Sequence, residues 1–202
     1  MAAEAFRILF IDDVHPALTE RLALVAGVEI DYRPNIEATE VPAALRTAHG
    51  LVVRSKVFLD AQMLAAAPKL QFIARAGAGM DNIDEAVARS LGIRLFNAPE
   101  GNRQAVAEHV VGMLLTLFNK LREADAAVRA GIWDREAHRG LELQGKTVGL
   151  IGYGNNGQAT ARLLYAFGCK VLAYDKFKTG FSDAFVKEAS LEQLFEKAEI
   201  LS

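Results

Sequence analysis

The stretch from Lys146 to Asp175, KTVGLIGYGNNGQATARLLYAFGCKVLAYD, constrains the fold of this chain more than any other. Thr147 to Ile151 is a short, branched, apolar run of the kind that forms a buried strand. Gly152, Gly154 and Gly157 follow at once, in the spacing GxGxxG. A helical pattern then carries Ala159, Leu163 and Phe167 on one face and stops at Gly168. Lys170 to Tyr174 reads as a second strand, and Asp175 closes it, eighteen residues beyond Gly157. A lone GxGxxG carries little weight. Strand, glycine loop, helix, second strand and terminal acid in that order give it meaning as a dinucleotide-binding turn.

The chemistry explains the spacing. Gly152 permits a tight turn, Gly154 lets the backbone approach a pyrophosphate, and Gly157 allows close packing of helix on strand. Tyr153, Asn155 and Asn156 complete the loop, whose free amides and helix dipole favour phosphate charge. Asp175 is placed to accept from both hydroxyls of an adenosine ribose and to repel a 2′-phosphate, so NAD is expected over NADP. Lys176 beside it softens that repulsion. The structural alternative is a flavodoxin-like turn with a capping aspartate.

Upstream, apolar runs alternate with amphipathic stretches. Strands are expected at 7–11, 28–32, 51–53, 71–74 and 93–96, with helices at 15–25, 41–48, 59–67 and 83–91. That alternation predicts parallel strands joined by helical crossovers, an α/β fold. Asn97-Ala-Pro-Glu-Gly-Asn102 interrupts it and marks a domain boundary. Asn102 is suited to cap a long helix over 102–130, with Val106, Val110, Met113, Leu117 and Leu121 as its apolar face. Strand, helix, strand, helix and strand should then fill 147–202.

Three ends of the first set of strands carry polar or glycine-rich sequence, and ligands sit at the carboxyl ends of parallel strands. Arg54-Ser55-Lys56 ends one. Arg75-Ala76-Gly77-Ala78-Gly79 ends the next, and Asn97 the last. Gly77 and Gly79 should expose backbone amides to a small carboxylate, with Arg54 reaching a second anionic group. Singly, each has a plain structural reading as surface cation, sharp turn or cap; together they predict an anion site. Asp12 and Asp13 are expected in turn or capping roles.

Other features exclude. A net charge of −2 gives no electrostatic case for nucleic acid or an anionic membrane. No apolar run reaches membrane-spanning length, and Met1 to Glu4 lead into the first strand without a signal-like segment. The single cysteine, Cys169, excludes an internal disulfide and reads as a buried, inert thiol of a reducing compartment, so the cytoplasm is expected. His15, His49, His109 and His138 show no spacing of a catalytic relay or metal site. Trp133, Arg135 and Arg139 are surface features or reach a neighbouring subunit.

Five segments in order, VVRSKVFLD, ARAGAGMDNID, FNAPEGNRQAVAEHVVGMLL, GLELQGKTVGLIGYGNNG and VLAYD, resemble the D-isomer-specific 2-hydroxyacid dehydrogenases over nearly the whole chain. The resemblance implies a flavodoxin-like, parallel-sheet substrate domain at 1–100. The first half of a Rossmann NAD-binding domain follows at 101–202. It also implies hydride transfer at C2 of a small anionic 2-hydroxy or 2-keto acid. The nearest branch acts on 3-phosphoglycerate, in serine biosynthesis, with glyoxylate- or glycerate-type reductases as alternatives. Arg54, Ser55, Arg75, Gly77, Ala78, Gly79 and Asn97 would lie on the substrate side. Gly152 to Gly157 with Asp175 and Lys176 would hold NAD, and a homodimer would form through the NAD domain. Asn156 departs from an apolar family position and is expected to loosen the loop. The family's catalytic arginine, glutamate and histidine find no match up to Ser202. Losing a histidine acid/base costs ~100- to 10,000-fold, so this chain alone is expected to bind rather than turn over. A non-catalytic, dimerising nucleotide-binding remnant is the competing expectation, as is an exposed first strand in the half-domain.

Overall fold

A computed structural model describes residues 5–202, so the expectation about Met1 to Glu4 lies outside the described residues. The chain divides into two compact units between Gly101 and Asn102.

In the first unit, strands β1 (Phe6–Phe10), β2 (Val28–Tyr32), β3 (Gly50–Val53), β4 (Phe72–Arg75) and β5 (Arg94–Phe96) alternate with four helices. These are α1 (Pro16–Ala23), α2 (Val41–Leu45), α3 (Ala61–Ala65) and α4 (Glu85–Ser90). All neighbouring strands are parallel, in the order β2-β1-β3-β4-β5. This is the flavodoxin-like doubly wound order, whose direction reverses between β1 and β3. β3 is buried along its whole length, as a central strand covered on both faces must be. Leu9, Ile11, Leu51, Val53 and Ile73 form the core on one face with Leu45, Leu59 and Leu64. On the other face Ile8, Phe10 and Val52 pack against Phe6, Leu22 and Phe72. Helices α3 and α4 start where short polar side chains replace missing backbone acceptors. Asp60 accepts from Met63 N at 2.8 Å and Asp84 from Val87 N at 3.1 Å.

The second unit holds α5 (Arg103–Phe118), α6 (Leu121–Arg129), β6 (Thr147–Ile151), α7 (Asn155–Ala166), β7 (Lys170–Tyr174), β8 (Lys187–Glu188), α8 (Leu191–Lys197) and β9 (Ile200–Leu201). Its sheet is parallel, in the order β8-β7-β6-β9. Two expectations fail here. Four strands form rather than three, because the two-residue β8 has no apolar run to announce it. The first strand is also not an edge: β9 pairs on its free side, Val148 with Ile200 and Gly149 with Leu201. The sheet therefore already crosses its own switch point, which lies between β6 and β9.

The expected single helix over 102–130 is two. Lys120 takes a left-handed conformation (φ 49°), and Phe118 O, freed from the helix ladder, accepts from Leu141 N at 2.9 Å. Lys120 Nζ is held on Ala137 O at 2.8 Å. The packed face of α5 also differs from the expected one. Ala107 and Val111 are buried, with Leu114, Leu115 and Phe118 against the core, while Met113, Leu117 and Leu121 are exposed. α5 has apolar residues on more than one side, so spacing alone could not choose the packed one. On α7 likewise, Thr160, Ala161 and Leu164 are the buried residues and Phe167 is exposed. Cys169 is buried, its thiol directed at Leu143 O (3.3 Å), and burial pushes its pKa up. No helix among the described residues is long and apolar enough to cross a membrane.

Candidate functional site

In the first unit, the polar residues gather at the carboxyl ends of β1, β3, β4 and β5. The loop after β3 is tied to the loop after β1, since Arg54 N donates to Asp12 Oδ2 at 2.6 Å. It is tied to β4 as well, because Arg75 Nε donates to Arg54 O at 3.2 Å. The Arg75 guanidinium thus lies against the end of β3, while that of Arg54 turns toward the loop after β1, its Nη1 3.5 Å from Asp13 O. Asp12 serves as a brace between strand ends and not as a helix cap; α1 is capped by His15, whose Nδ1 accepts from Ala17 N. Ser55 is exposed beside Arg54.

The glycine turn after β4 corrects one expectation. Gly77 N is not offered outward, because it donates to Arg75 O at 2.8 Å. A Cβ on Gly77 would stand 2.1 Å from Arg75 Nη1, so this glycine makes room for the guanidinium. The N–H groups of Ala78 and Gly79 have no partner among the described residues. Asn97, at the end of β5, holds this turn from below by donating from Nδ2 to Ala78 O at 2.7 Å. Arg54 also borders an open depression of about 710 Å³, lined by Asp13, His15, Thr19, Tyr32 and Ala76. It lies where the strand order reverses between β1 and β3, the usual ligand crevice of such sheets. Spacing gave no sign of Tyr32, whose hydroxyl donates to Asp13 Oδ1 at 2.6 Å and is thereby raised in pKa.

In the second unit, the glycine loop follows β6 at the switch point. Gly152 has φ 106°, a conformation that favours glycine. A Cβ on Gly157 would lie 2.2 Å from Gly152 O, whereas one on Gly154 would meet nothing within 4 Å. The turn is therefore closed on its inner side and open at Gly154. α7 begins at Asn155, and its first intrahelical donor is Gln158 N, bonded to Gly154 O. The N–H groups of Asn155, Asn156 and Gly157 thus have no intrahelical acceptor. With no acidic residue in the first turn, they suit the pyrophosphate of a dinucleotide. Asn156 is exposed in the first turn of α7.

Asp175 is more occupied than its position after β7 suggested. Its Oδ2 accepts from Tyr153 N at 2.7 Å, and its Oδ1 accepts from Phe177 N and Lys178 N at 2.8 and 3.1 Å. These backbone donors, with the Lys178 charge as a smaller cause, hold its pKa below the ordinary carboxylate value. Three of its roughly four acceptor positions are used, which leaves one outward position rather than two for a ribose. Lys178, unmarked by spacing, returns to the loop and donates from Nζ to Tyr153 O at 3.2 Å. The Tyr153 ring is buried and stacked on Phe181. Burial, then the Asp183 carboxylate, raise the pKa of its hydroxyl. Lys176 is exposed, its Nζ 5.6 Å from the Phe177 ring centroid.

Three of the histidines have a ring nitrogen held on the backbone, His15 as the cap of α1. His49 Nδ1 accepts from Arg7 N, and His138 Nδ1 lies 2.6 Å from Asp134 O. His109 is on the exposed side of α5. No cluster of His, Cys, Asp and Glu among the described residues could hold a metal ion.

Comparison with known proteins agrees with the fold. The profile of the D-isomer specific 2-hydroxyacid dehydrogenase catalytic domain matches residues 8–198. A D-3-phosphoglycerate dehydrogenase of Mycobacterium leprae is 40% identical over 182 residues, 89% of this chain and 34% of that protein. A hydroxypyruvate reductase of Thermotoga maritima is 38% identical over 83% of this chain and 55% of its own length. The chain thus spans about a third to a half of these relatives. The solved structure of an Aquifex aeolicus D-lactate dehydrogenase, complexed with NAD and lactic acid, superposes with a TM-score of 0.83 at 25% identity. That match covers 96% of this chain and 59% of the other. With the profile covering nearly its whole length, the chain belongs to the D-isomer specific 2-hydroxyacid dehydrogenase family.

Proposed function

We propose that the first unit binds a small 2-hydroxy or 2-keto acid, 3-phosphoglycerate foremost, and that the second binds NAD. The observation that carries this reading is the set of donors left over on the first sheet. Two free amides, at Ala78 and Gly79, share one edge of the sheet with two guanidinium groups, Arg75 and, turned toward β1, Arg54. Two amides suit a carboxylate, and two forked cations suit a second, more highly charged group such as a phosphate. The similarity to phosphoglycerate dehydrogenases supports the phosphorylated acid. The similarity to a hydroxypyruvate reductase favours, as a second reading, a 2-keto acid without phosphate. Gly152 to Gly157 would hold the pyrophosphate, and Asp175 the adenosine ribose. When bound, the nicotinamide supplies the hydride chemistry of the family.

In this reading the chain binds both ligands without sustaining turnover, since His15, His49 and His138 each have a ring nitrogen on the backbone and His109 lies on the exposed side of α5. Apolar side chains on the open side of α5 and α6, Met113, Leu117, Leu121 and Val128, support a homodimer through the second unit. The single, buried thiol supports a cytoplasmic setting.

Calorimetric titration with 3-phosphoglycerate and with glycerate tests the substrate reading. The wild type should prefer the phosphorylated acid, and Arg54→Ala should remove most of that preference. Equal weakening of both ligands would contradict the phosphate assignment, and steady oxidation of 3-phosphoglycerate by this chain would contradict the claim about turnover.

A further inference from the structure

The segment after β7 gives the nucleotide site a property that its terminal aspartate would not suggest. An acidic residue here favours the unphosphorylated ribose by accepting from its 2′-hydroxyl, and a nearby cation accommodates a 2′-phosphate. Here Asp175 is turned into the protein's own backbone, accepting from Tyr153 N, Phe177 N and Lys178 N. Two cations follow within three residues, Lys176 and Lys178, so the segment Asp175–Lys178 carries one negative and two positive charges.

Their positions differ. Lys178 is folded back, its ammonium 3.2 Å from the carbonyl oxygen of Tyr153. The amide of that same residue is bonded to Asp175. One loop residue thus links the carboxylate and the ammonium. Lys176 is exposed at the start of the turn, with Phe177 beside it. The carboxylate of Asp183 accepts from Phe185 N and Val186 N through Oδ1 and from the Tyr153 hydroxyl, at 3.4 Å, through Oδ2.

We propose that Lys178, assisted by Lys176, makes this site permissive to a 2′-phosphate, so that the chain accepts NADP(H) as well as NAD(H). This rests on the reading of the second unit as a nicotinamide-nucleotide site. Lys178 is a specificity-determining residue: its ammonium offsets the Asp175 charge where a ribose phosphate would approach. Of its three donor positions, one is used on Tyr153 O. Asp175 keeps one outward acceptor for NAD(H), so neither form is excluded.

Titrations of the 202-residue chain with NADH and NADPH, read by nucleotide fluorescence, test this directly. The two dissociation constants should lie within about tenfold of each other, a difference of ~1.4 kcal/mol or less. The double variant Lys176→Met/Lys178→Met should weaken NADPH at least tenfold more than NADH. Circular dichroism verifies that it is folded, and the wild-type ratio stands as a test without it. NADH binding with NADPH more than a hundredfold weaker overturns this proposal and leaves the nucleotide reading intact. An unchanged ratio in a folded double variant also overturns it. Failure of the wild type to bind either nucleotide overturns both.

Discussion

Two single-methyl substitutions three residues apart in the same loop, Gly157→Ala and Gly154→Ala, should fail for opposite reasons. At Gly157 the added carbon would lie 2.2 Å from Gly152 O and 3.2 Å from Gly152 C. Ordinary contact begins at 3.4 Å, so the two must part by about 1.2 Å. Both contact atoms are backbone and cannot swing aside. Recoil of Gly152 is opposed on one side by its own N–H, bonded to Tyr174 O at 2.7 Å, and on the other by the bond from Tyr153 N to Asp175. Overpacking of this kind costs about 1–3 kcal/mol. It should appear as a lower urea midpoint with an unchanged slope. Displacing the loop also misplaces the first amides of α7. Loss of one hydrogen bond to a charged phosphate costs about 1.5–3 kcal/mol, or ~10- to 150-fold in NADH affinity.

Gly154 is the control. Its φ of −79° suits any residue, and a Cβ there meets nothing within 4 Å. Gly154→Ala should therefore leave stability within about 1 kcal/mol of wild type. The space the methyl enters is the space through which a pyrophosphate would approach, so NADH affinity should still fall at least tenfold. Urea unfolding and fluorescence titration of both variants separate the effects. A Gly157→Ala protein with wild-type midpoint and affinity would refute the steric reasoning. A Gly154→Ala protein that binds NADH normally would show that the pyrophosphate does not pass there.

Three further outcomes are expected. The folded-state pKa of Asp175 is depressed, so its contribution to stability is full above the unfolded value, about 3.9. It is lost as pH falls through the lower folded value. The urea midpoint of wild type should thus decline below about pH 4, and Asp175→Asn should lower the midpoint at neutral pH while flattening that decline; an identical pH profile in the variant would discount the three backbone bonds. Asn97→Leu removes the donor to Ala78 O. It should weaken carboxylate binding about tenfold with glycerate and 3-phosphoglycerate alike, and an effect confined to the phosphorylated ligand would place Asn97 elsewhere in the site. Leu117→Glu, on the exposed side of α5, should convert a dimer into a monomer in sedimentation velocity without lowering the melting temperature of the monomer; a wild-type chain that sediments as a monomer would dispose of the interface.

What the amino-acid sequence revealed, and what it hid, follows from the range over which each interaction acts. Strand and helix alternation is local, and the five strands of the first sheet fall within a residue or so of the apolar runs that announced them. The glycine loop was legible for the same reason, since Gly152, Gly154 and Gly157 answer to backbone geometry within one turn. The choice between faces of α5 was not legible, because Val106, Val110, Met113 and Leu117 make as good a stripe as Ala107, Val111, Leu114 and Phe118. Only the contact with α7 and the sheet decides between them. β8, with two residues, exists through pairing and not through propensity; the apolar run of β9 was legible, but not that it would pair on the free side of β6 and make it an interior strand. Asp175 shows the limit most sharply. Its place in the sequence specified a carboxylate beside the glycine loop, but not that the turn Lys176–Lys178 would fold back and donate to it. A residue's position identifies which groups can reach a ligand; the hydrogen bonds it makes within the fold decide how much of that capacity is left. The question of NAD against NADP therefore turns on Lys178 Nζ and the last free position on Asp175, and not on the presence of the aspartate alone.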